Sequence, residues 1–311
     1  MKTESLFLKP ANIQEALDIS QKYGDACRFL AGGTDVMPTR FQENDATSCL
    51  VDISALHELK GIVKVNGYLV IGSLVTLSDL INTAEIKKHF PVLIEAATSV
   101  ASPVIRKSAT LGGNLLCENR CLFYNQSAWW REAVGYCLKC NGDICIATGG
   151  AKNCFSKFVS DMAVVLISLN AELEIASSKG VRIEKLEAIY TGDGLNPRTI
   201  TGSSVIRAIH IPVASQVKTV FKKLRQRKSL EFTSLTTAVS LHPDGELKIV
   251  LGGVDPKPVT VVKNVQDKQE EIITHLLKKC RVVENDVYSR PYRREMIKVF
   301  LKQSFQELGL T

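Results

Sequence analysis

An α+β chain in two parts is what this sequence predicts, and three observations carry that. Strand, turn and helix alternate through the first hundred or so residues; strands around one hairpin turn follow residue 203; two charged helices close the chain. With 311 residues, 45% apolar and 23% charged, the chain can bury more than one core and has ordinary globular composition, which excludes the disordered and membrane classes.

Behind Asn12, the spacing of Ile13, Ala16, Leu17 and Ile19 predicts an amphipathic helix over 11–23. A short strand at 28–31 then runs into Gly32-Gly33. Strands are expected at 50–53, 62–65 and 68–71, and helices at 77–85 and 92–100. The stretch 162–170 is apolar on every side, so it reads as a buried helix, followed by a strand at 172–175 and a turn at 177–180. Residues 205–211 form another strand. Beyond Pro212 come strands at 219–225, 236–241 and 248–251, with Pro243-Asp244-Gly245 as a hairpin turn, then helices at 266–279 and 293–308. The boundary is placed near residue 203, giving parts 1–203 and 204–311.

Residues 1–6 carry no apolar core with a small-residue cleavage site, and the longest apolar run, 162–169, is too short to span a bilayer. A cytoplasmic location without a membrane partner is expected. The net charge of +7, with six Lys or Arg among residues 218–228, raises nucleic-acid binding. No nucleic-acid motif accompanies that run, and its mixed apolar and basic positions fit a strand with one solvated or anion-facing side, so no nucleic-acid partner is expected.

Two glycine pairs stand out. Ala31-Gly32-Gly33-Thr34-Asp35 follows the strand at 28–31, and glycines there let successive backbone N–H groups turn toward one anion. A plain tight turn gives the same pattern. Thr110-Leu111-Gly112-Gly113-Asn114 repeats the arrangement after a helix-like 100–107, which favours a pyrophosphate site. There is no GxGxxG, so a Rossmann site is not expected.

Of the nine cysteines, Cys27, Cys49 and Cys280 stand apart, while Cys117, Cys121, Cys137, Cys140, Cys145 and Cys154 fall within 38 residues. The cytosol keeps thiols reduced, so such a cluster reads as a metal site before it reads as disulfides. Spacing leaves the metal open: four converging thiolates suit an iron–sulfur cluster, and the CxxC at 137–140 suits tetrahedral zinc equally. Unligated thiols are the third alternative. Trp129, Trp130, Tyr124 and Tyr136 lie in the same stretch, a composition suited to sheathing a metal.

With both loops in view, the chain resembles the FAD-binding (medium) subunit of the molybdenum hydroxylases, the family of xanthine dehydrogenase and carbon monoxide dehydrogenase. Segments 7–10, 30–35, 50–53, 71–73, 102–114 and 251–254 look like that family's landmarks, in its order. The resemblance implies a two-subdomain, PCMH-like FAD-binding domain followed by a C-terminal α+β domain. It implies that Phe29, Leu30, Ala31, Gly32, Gly33, Thr34 and Asp35, with Thr110, Leu111, Gly112, Gly113 and Asn114, hold the FAD diphosphate and ribityl chain. Asp161 would lie near the flavin, and Lys223 would contribute from the C-terminal part. Read by itself, Asp161 follows Ser160 at the head of an apolar helix, where a carboxylate commonly caps. Where many relatives place an acid and a Tyr or Trp beside the flavin, this chain has Glu231-Phe232.

Asp161 lies 47 positions after Asn114, far more than in simpler relatives, so 115–160 is an insertion. Its segments 121–127, 129–131, 136–139 and 142–145 resemble the flavin subunit of 4-hydroxybenzoyl-CoA reductases. That implies a 4Fe-4S cluster on Cys121, Cys137, Cys145 and Cys154, with Cys117 and Cys140 surplus. The implied role is an oxidoreductase component with no catalytic residue of its own, passing electrons between 4Fe-4S, FAD and a partner's 2Fe-2S centres. The overall reaction would remove the phenolic hydroxyl of 4-hydroxybenzoyl-CoA reductively. Implied partners are a molybdenum-cofactor large subunit and a 2Fe-2S small subunit in a dimer of heterotrimers, and a ferredoxin-like donor. The alternatives are a self-contained FAD oxidoreductase with a structural zinc site and a zinc-stabilised interaction module.

Overall fold

The computed structural model describes residues 6–200, 202–213 and 217–310; residues 1–5, on which the expectation of no export leader partly rests, lie outside them. The chain opens with a three-stranded parallel sheet of order β1-β3-β2, built from β1 (Leu6–Leu8), β2 (Cys27–Leu30) and β3 (Cys49–Asp52). Parallel strands need crossovers, and α1 (Ile13–Tyr23) supplies the first. Asn12 Oδ1 accepts the Glu15 N–H at 2.9 Å to cap α1, whose Ile13, Ala16 and Leu17 pack with Cys27, Cys49 and Val51. The second crossover contains α2 (Val36–Phe41), which starts where the first glycine loop ends. Neither β1 nor α2 is foreseen in the sequence, because three and six residues are too few to show a period.

A five-stranded antiparallel sheet follows, of order β4-β5-β8-β6-β7: β4 (Ile62–Val65), β5 (Tyr68–Gly72), β6 (Glu172–Ser177), β7 (Gly180–Lys185) and β8 (Ser204–Pro212). Ile209 of β8 stands opposite Ile71 on one side and Leu173 on the other. The boundary expected near residue 203 is therefore corrected to beyond Pro212, since ladders on both edges hold β8 inside the first part. Helices α3 (Leu77–Asn82), α4 (Ala84–His89), α5 (Pro91–Ser99), α6 (Pro103–Arg106) and α7 (Leu111–Leu115) lead to the cysteine segment with its α8 (Ala128–Ala133). After it comes α9 (Asp161–Ser168), every residue of which is buried, as the all-round apolar pattern predicts.

The C-terminal part is a four-stranded antiparallel sheet of order β12-β11-β10-β9: β9 (Lys218–Leu224), β10 (Leu235–Leu241), β11 (Glu246–Gly252) and β12 (Val259–Asn264). Side-chain alternation places this sheet between two cores. Ala238 and Val250 face the core around α9, while Val239, Ile249 and Leu251 face Ile272, Leu276, Ile297 and Phe305 of α10 (Gln269–Lys279) and α11 (Arg290–Glu307). The basic strand differs from its expected solvated or anion-facing character. Lys222 pairs with Glu307 at 2.6 Å, Lys223 pairs with buried Asp161, and Arg225 donates to Ser99 O at 2.8 Å, so these cations are satisfied within the protein. Among the described residues, no helix is long and apolar enough to cross a membrane.

Candidate functional site

A cavity of about 700 Å³ opens between the three-stranded sheet and the five-stranded one. The first glycine loop forms one wall. Gly33 has φ +70°, a left-handed conformation open to glycine at little cost, and the Gly32, Gly33 and Thr34 N–H groups find no protein acceptor among the described residues. Such a run of free N–H groups is a nest for an anion. The close approach is also structural: a Cβ on Gly32 would fall 1.7 Å from Ser108 O, so the loop lies directly on the chain leading to the second glycine pair.

The second pair works differently from its expected repetition of the first. Thr110 caps the short α7, its Oγ1 accepting the Gly113 N–H at 3.1 Å, and the Gly112 N–H is taken by Ser73 O at 2.8 Å. Both N–H groups are consumed inside the protein. A Cβ on Gly112 would stand 2.8 Å from Ser73 Cβ, so this glycine permits close packing while Gly113 keeps the cavity wall bare.

Phe29, Ala31, Gly32, Gly33, Thr34, Asp35, Thr110, Gly112 and Gly113 all line the cavity. Leu30, Leu111 and Asn114 do not: Leu111 is fully buried, and Asn114 Oδ1 accepts from Ser160 Oγ at 2.8 Å. Asp35 is turned away from an anion, with Oδ2 accepting the Glu118 N–H at 2.9 Å and Oδ1 paired with Arg120. The positive charge comes from residues the sequence does not single out. Arg28 and Arg198 line the wall, paired with Glu118 at 3.5 and 2.6 Å, and Arg28 also with Asp45 at 3.1 Å. Two guanidinium groups and a nest suit a diphosphate.

Asp161 and Lys223 meet, but outside this cavity. Ser160, not Asp161, caps α9, its Oγ accepting the Ala163 N–H at 3.1 Å. The Asp161 carboxylate instead holds Lys223 Nζ and the Thr236 hydroxyl at 2.7 Å, and Lys223 also donates to Ser99 O at 3.1 Å. This buried pair fastens the first part to the C-terminal sheet; losing one partner of such a pair typically costs about 3–5 kcal/mol. Phe232 stacks on the Arg120 guanidinium, 4.4 Å from ring centroid to Cζ.

The cysteine segment is closed at its neck. Arg120 N donates to Lys157 O at 3.0 Å and Lys157 N to Arg120 O at 2.8 Å. Lys157, paired with buried Asp286, and Asn119, bonded to Pro256 O at 2.9 Å, tie the neck to the C-terminal part. Inside, Cys121, Cys137, Cys145 and Cys154 line one small cavity together with Tyr124, Leu138, Ile146 and Lys139. Three of these cysteines open a turn, their carbonyls accepting N–H groups three residues on, from Tyr124, Cys140 and Thr148. The fourth is held from outside the segment: Asp193 Oδ1 accepts the Cys154 N–H at 3.0 Å, and the Gly194 N–H donates to Cys154 O at 2.8 Å.

Four thiols on one cavity fit the donor set of a cluster or of zinc. Among the described residues no three acidic, Cys or His side chains already stand at metal-binding spacing, and the enclosed space is about 10 Å³. Burial pushes the Cys121 thiol up to about 11, whereas the hydrogen bond shared between Cys137 and Cys140, 3.8 Å sulfur to sulfur, lowers the Cys137 thiol. Cys117 and Cys140 do not line the cavity. The expected aromatic sheath is corrected in part: Trp129 is 75% exposed and Tyr136 is exposed, while Tyr124, with Phe123 and aliphatic side chains, lines the thiol cavity.

The family described as the FAD binding domain in molybdopterin dehydrogenase matches residues 2–214. Over 240 residues the chain is 31% identical to the aldehyde oxidoreductase FAD-binding subunit PaoB of Escherichia coli K12, covering 74% of this chain and 76% of that one. The glyceraldehyde dehydrogenase medium chain of Sulfolobus acidocaldarius is 26% identical across 98% of this chain and 99% of its own length. Among solved structures, a chain of the Cu,Mo-CO dehydrogenase superposes with a TM-score of 0.74 at 23% identity, covering 97% of this chain and 96% of that one. A chain of quinoline 2-oxidoreductase from Pseudomonas putida 86 gives 0.72 at 21%, with the same coverage. Likeness at that identity establishes the fold, the two-subdomain domain and C-terminal α+β part expected from the sequence.

Proposed function

We propose, from the premise that the chain belongs to the FAD-binding family of molybdopterin dehydrogenases, that it is an electron-transfer subunit with FAD in the cavity at the first glycine loop and a 4Fe-4S cluster in the cysteine segment. The observation that carries this reading is placement. The four expected thiols line one cavity, and the short stretch leading to Cys121 lines the flavin cavity with Leu116 and Glu118. When bound, FAD exchanges electrons singly or in pairs and an iron–sulfur cluster one at a time, so together they join two-electron to one-electron chemistry.

The chain's own residues bind and orient. The Gly32 to Thr34 nest with Arg28 and Arg198 would take the diphosphate, and Cys121, Cys137, Cys145 and Cys154 the cluster. Gly194 leaves room for Cys154, since a Cβ there would lie 2.8 Å from Cys154 Sγ and 2.1 Å from Ser156 Oγ. Gly194→Ala is expected to displace Cys154 and remove most of the iron while FAD stays bound, measured as iron, labile sulfide and acid-released flavin. Full iron content in this variant would take Cys154 out of the ligand set.

The proposed partners are a molybdenum-cofactor large subunit and a 2Fe-2S small subunit, in a dimer of heterotrimers served by a ferredoxin-like donor in the cytoplasm. Relatives named as FAD-binding subunits and medium chains support such an assembly. The finer reading, reductive dehydroxylation of 4-hydroxybenzoyl-CoA, rests on the likeness of segments 121–127, 129–131, 136–139 and 142–145 to that enzyme class. Native mass spectrometry of the protein from its source is expected to show this chain with both partners. Finding it always alone would overturn the assembly.

A further inference from the structure

We infer that Glu118 is a positioning residue that links the two cofactor cavities by charge and, through Lys139, sets the reduction potential of the group held by the thiols. This rests on the iron–sulfur reading of the cysteine segment. The Glu118 carboxylate sits between the two walls. Its Oε1 meets Arg198 Nη2 at 2.6 Å and Arg28 Nη2 at 3.5 Å, both on the flavin cavity, and its Oε2 meets Lys139 Nζ at 3.2 Å, on the thiol cavity. Its backbone N–H donates to Asp35, which fixes the carboxylate relative to the first glycine loop.

The side chains are sheltered, Glu118 being 15% and Lys139 9% exposed, so their charges act through a lower dielectric than water and are weakly screened. Burial pushes the Glu118 acid up, but the Arg198, Lys139 and Arg28 charges outweigh it and bring it down to about 2, which keeps it ionised. Lys139 is held at the thiol wall by Glu118 and by the Tyr124 ring, 4.9 Å from its Nζ. A cation beside a redox group favours the more negative, reduced form, and nearby charge is one of the levers that set cluster potentials. Glu118 offsets that cation. Removing its charge leaves Lys139 unbalanced and raises the potential; removing the Lys139 charge leaves Glu118 facing the cavity and lowers it.

The test uses the full chain purified without oxygen, with the one-electron midpoint potential of the iron–sulfur group titrated in wild type, Glu118→Gln, Lys139→Gln and Glu118→Asp. Glu118→Gln is expected to shift the reduction equilibrium about tenfold toward the reduced form, about 59 mV upward. Lys139→Gln is expected to shift it by a similar amount downward, and Glu118→Asp to return it toward wild type. General loosening of the segment would move both Gln variants the same way, so opposite signs identify a charge effect. Should Glu118→Gln fail to fold, Lys139→Gln alone decides. Unchanged potentials with iron in place would overturn the inference while leaving the cluster standing. A wild-type chain without iron and labile sulfide would overturn the cluster reading and this inference together.

Discussion

Serine at any one of Cys121, Cys137, Cys145 or Cys154 is expected to strip the chain of iron and labile sulfide and to bleach its broad visible absorbance, while serine at Cys117 or Cys140 leaves both intact. Soft thiolate ligands select iron–sulfur clusters, and a serine oxygen replaces them poorly. Only the first four thiols share the cavity. Cys117 is buried away from it, one position from the Glu118 that lines the other cavity. Cys140 lies 3.8 Å from Cys137 and is the nearest rival ligand. If Cys140→Ser lost the cluster and Cys145→Ser kept it, the ligand set would be wrong although a cluster existed. FAD is expected to remain in all six variants, because none of the six cysteines lines the cavity at the first glycine loop.

The second large effect concerns the flavin itself. Gly32→Ala is expected to weaken FAD binding at least about a hundredfold, about 2.8 kcal/mol, because the added Cβ meets the Ser108 carbonyl at 1.7 Å and neither backbone can yield without parting the two loops. Gly33→Val forces a β-branched residue to φ +70°, and Gly113→Val sets its Cβ 2.8 Å from the capping Thr110 Oγ1, so both are also expected to lose flavin. Acid-released FAD measures the loss, and retained iron and an unchanged far-ultraviolet circular dichroism spectrum show that the rest of the chain is folded. Full flavin in all three variants would move the diphosphate elsewhere. The flavin is expected to be non-covalent, and acid precipitation of wild type should release it.

What the sequence makes legible is local. The buried α9, the first glycine nest and the cysteine cluster all lie in stretches whose composition announces them, while the choice of four thiols within the cluster comes from resemblance. Features made by distant pairing are not legible in this way. β8 joins the five-stranded sheet through partners 27 to 38 positions before it on one side and more than a hundred on the other, so the boundary at 203 falls short. Arg28 and Arg198 reach Glu118 across 90 and 80 positions, with no local pattern to mark them. Gly194 meets Cys154 only after folding. Thr110 three residues before Gly113 is a helix-start signal that would separate the second glycine pair from the first. β7, with mostly exposed side chains, offers no inward face to betray a strand, and Trp129 shows that an aromatic near a cysteine need not cover it.

The central claim is that one chain carries both a flavin and an iron–sulfur cluster. The most direct test is the cofactor content of the chain purified without oxygen: FAD, iron, labile sulfide and zinc measured on the same sample. The expected result is FAD together with iron and sulfide in equal amounts and no zinc. Flavin with zinc and without iron would contradict it and leave a flavoprotein with a structural zinc site, and a chain without flavin would contradict it altogether.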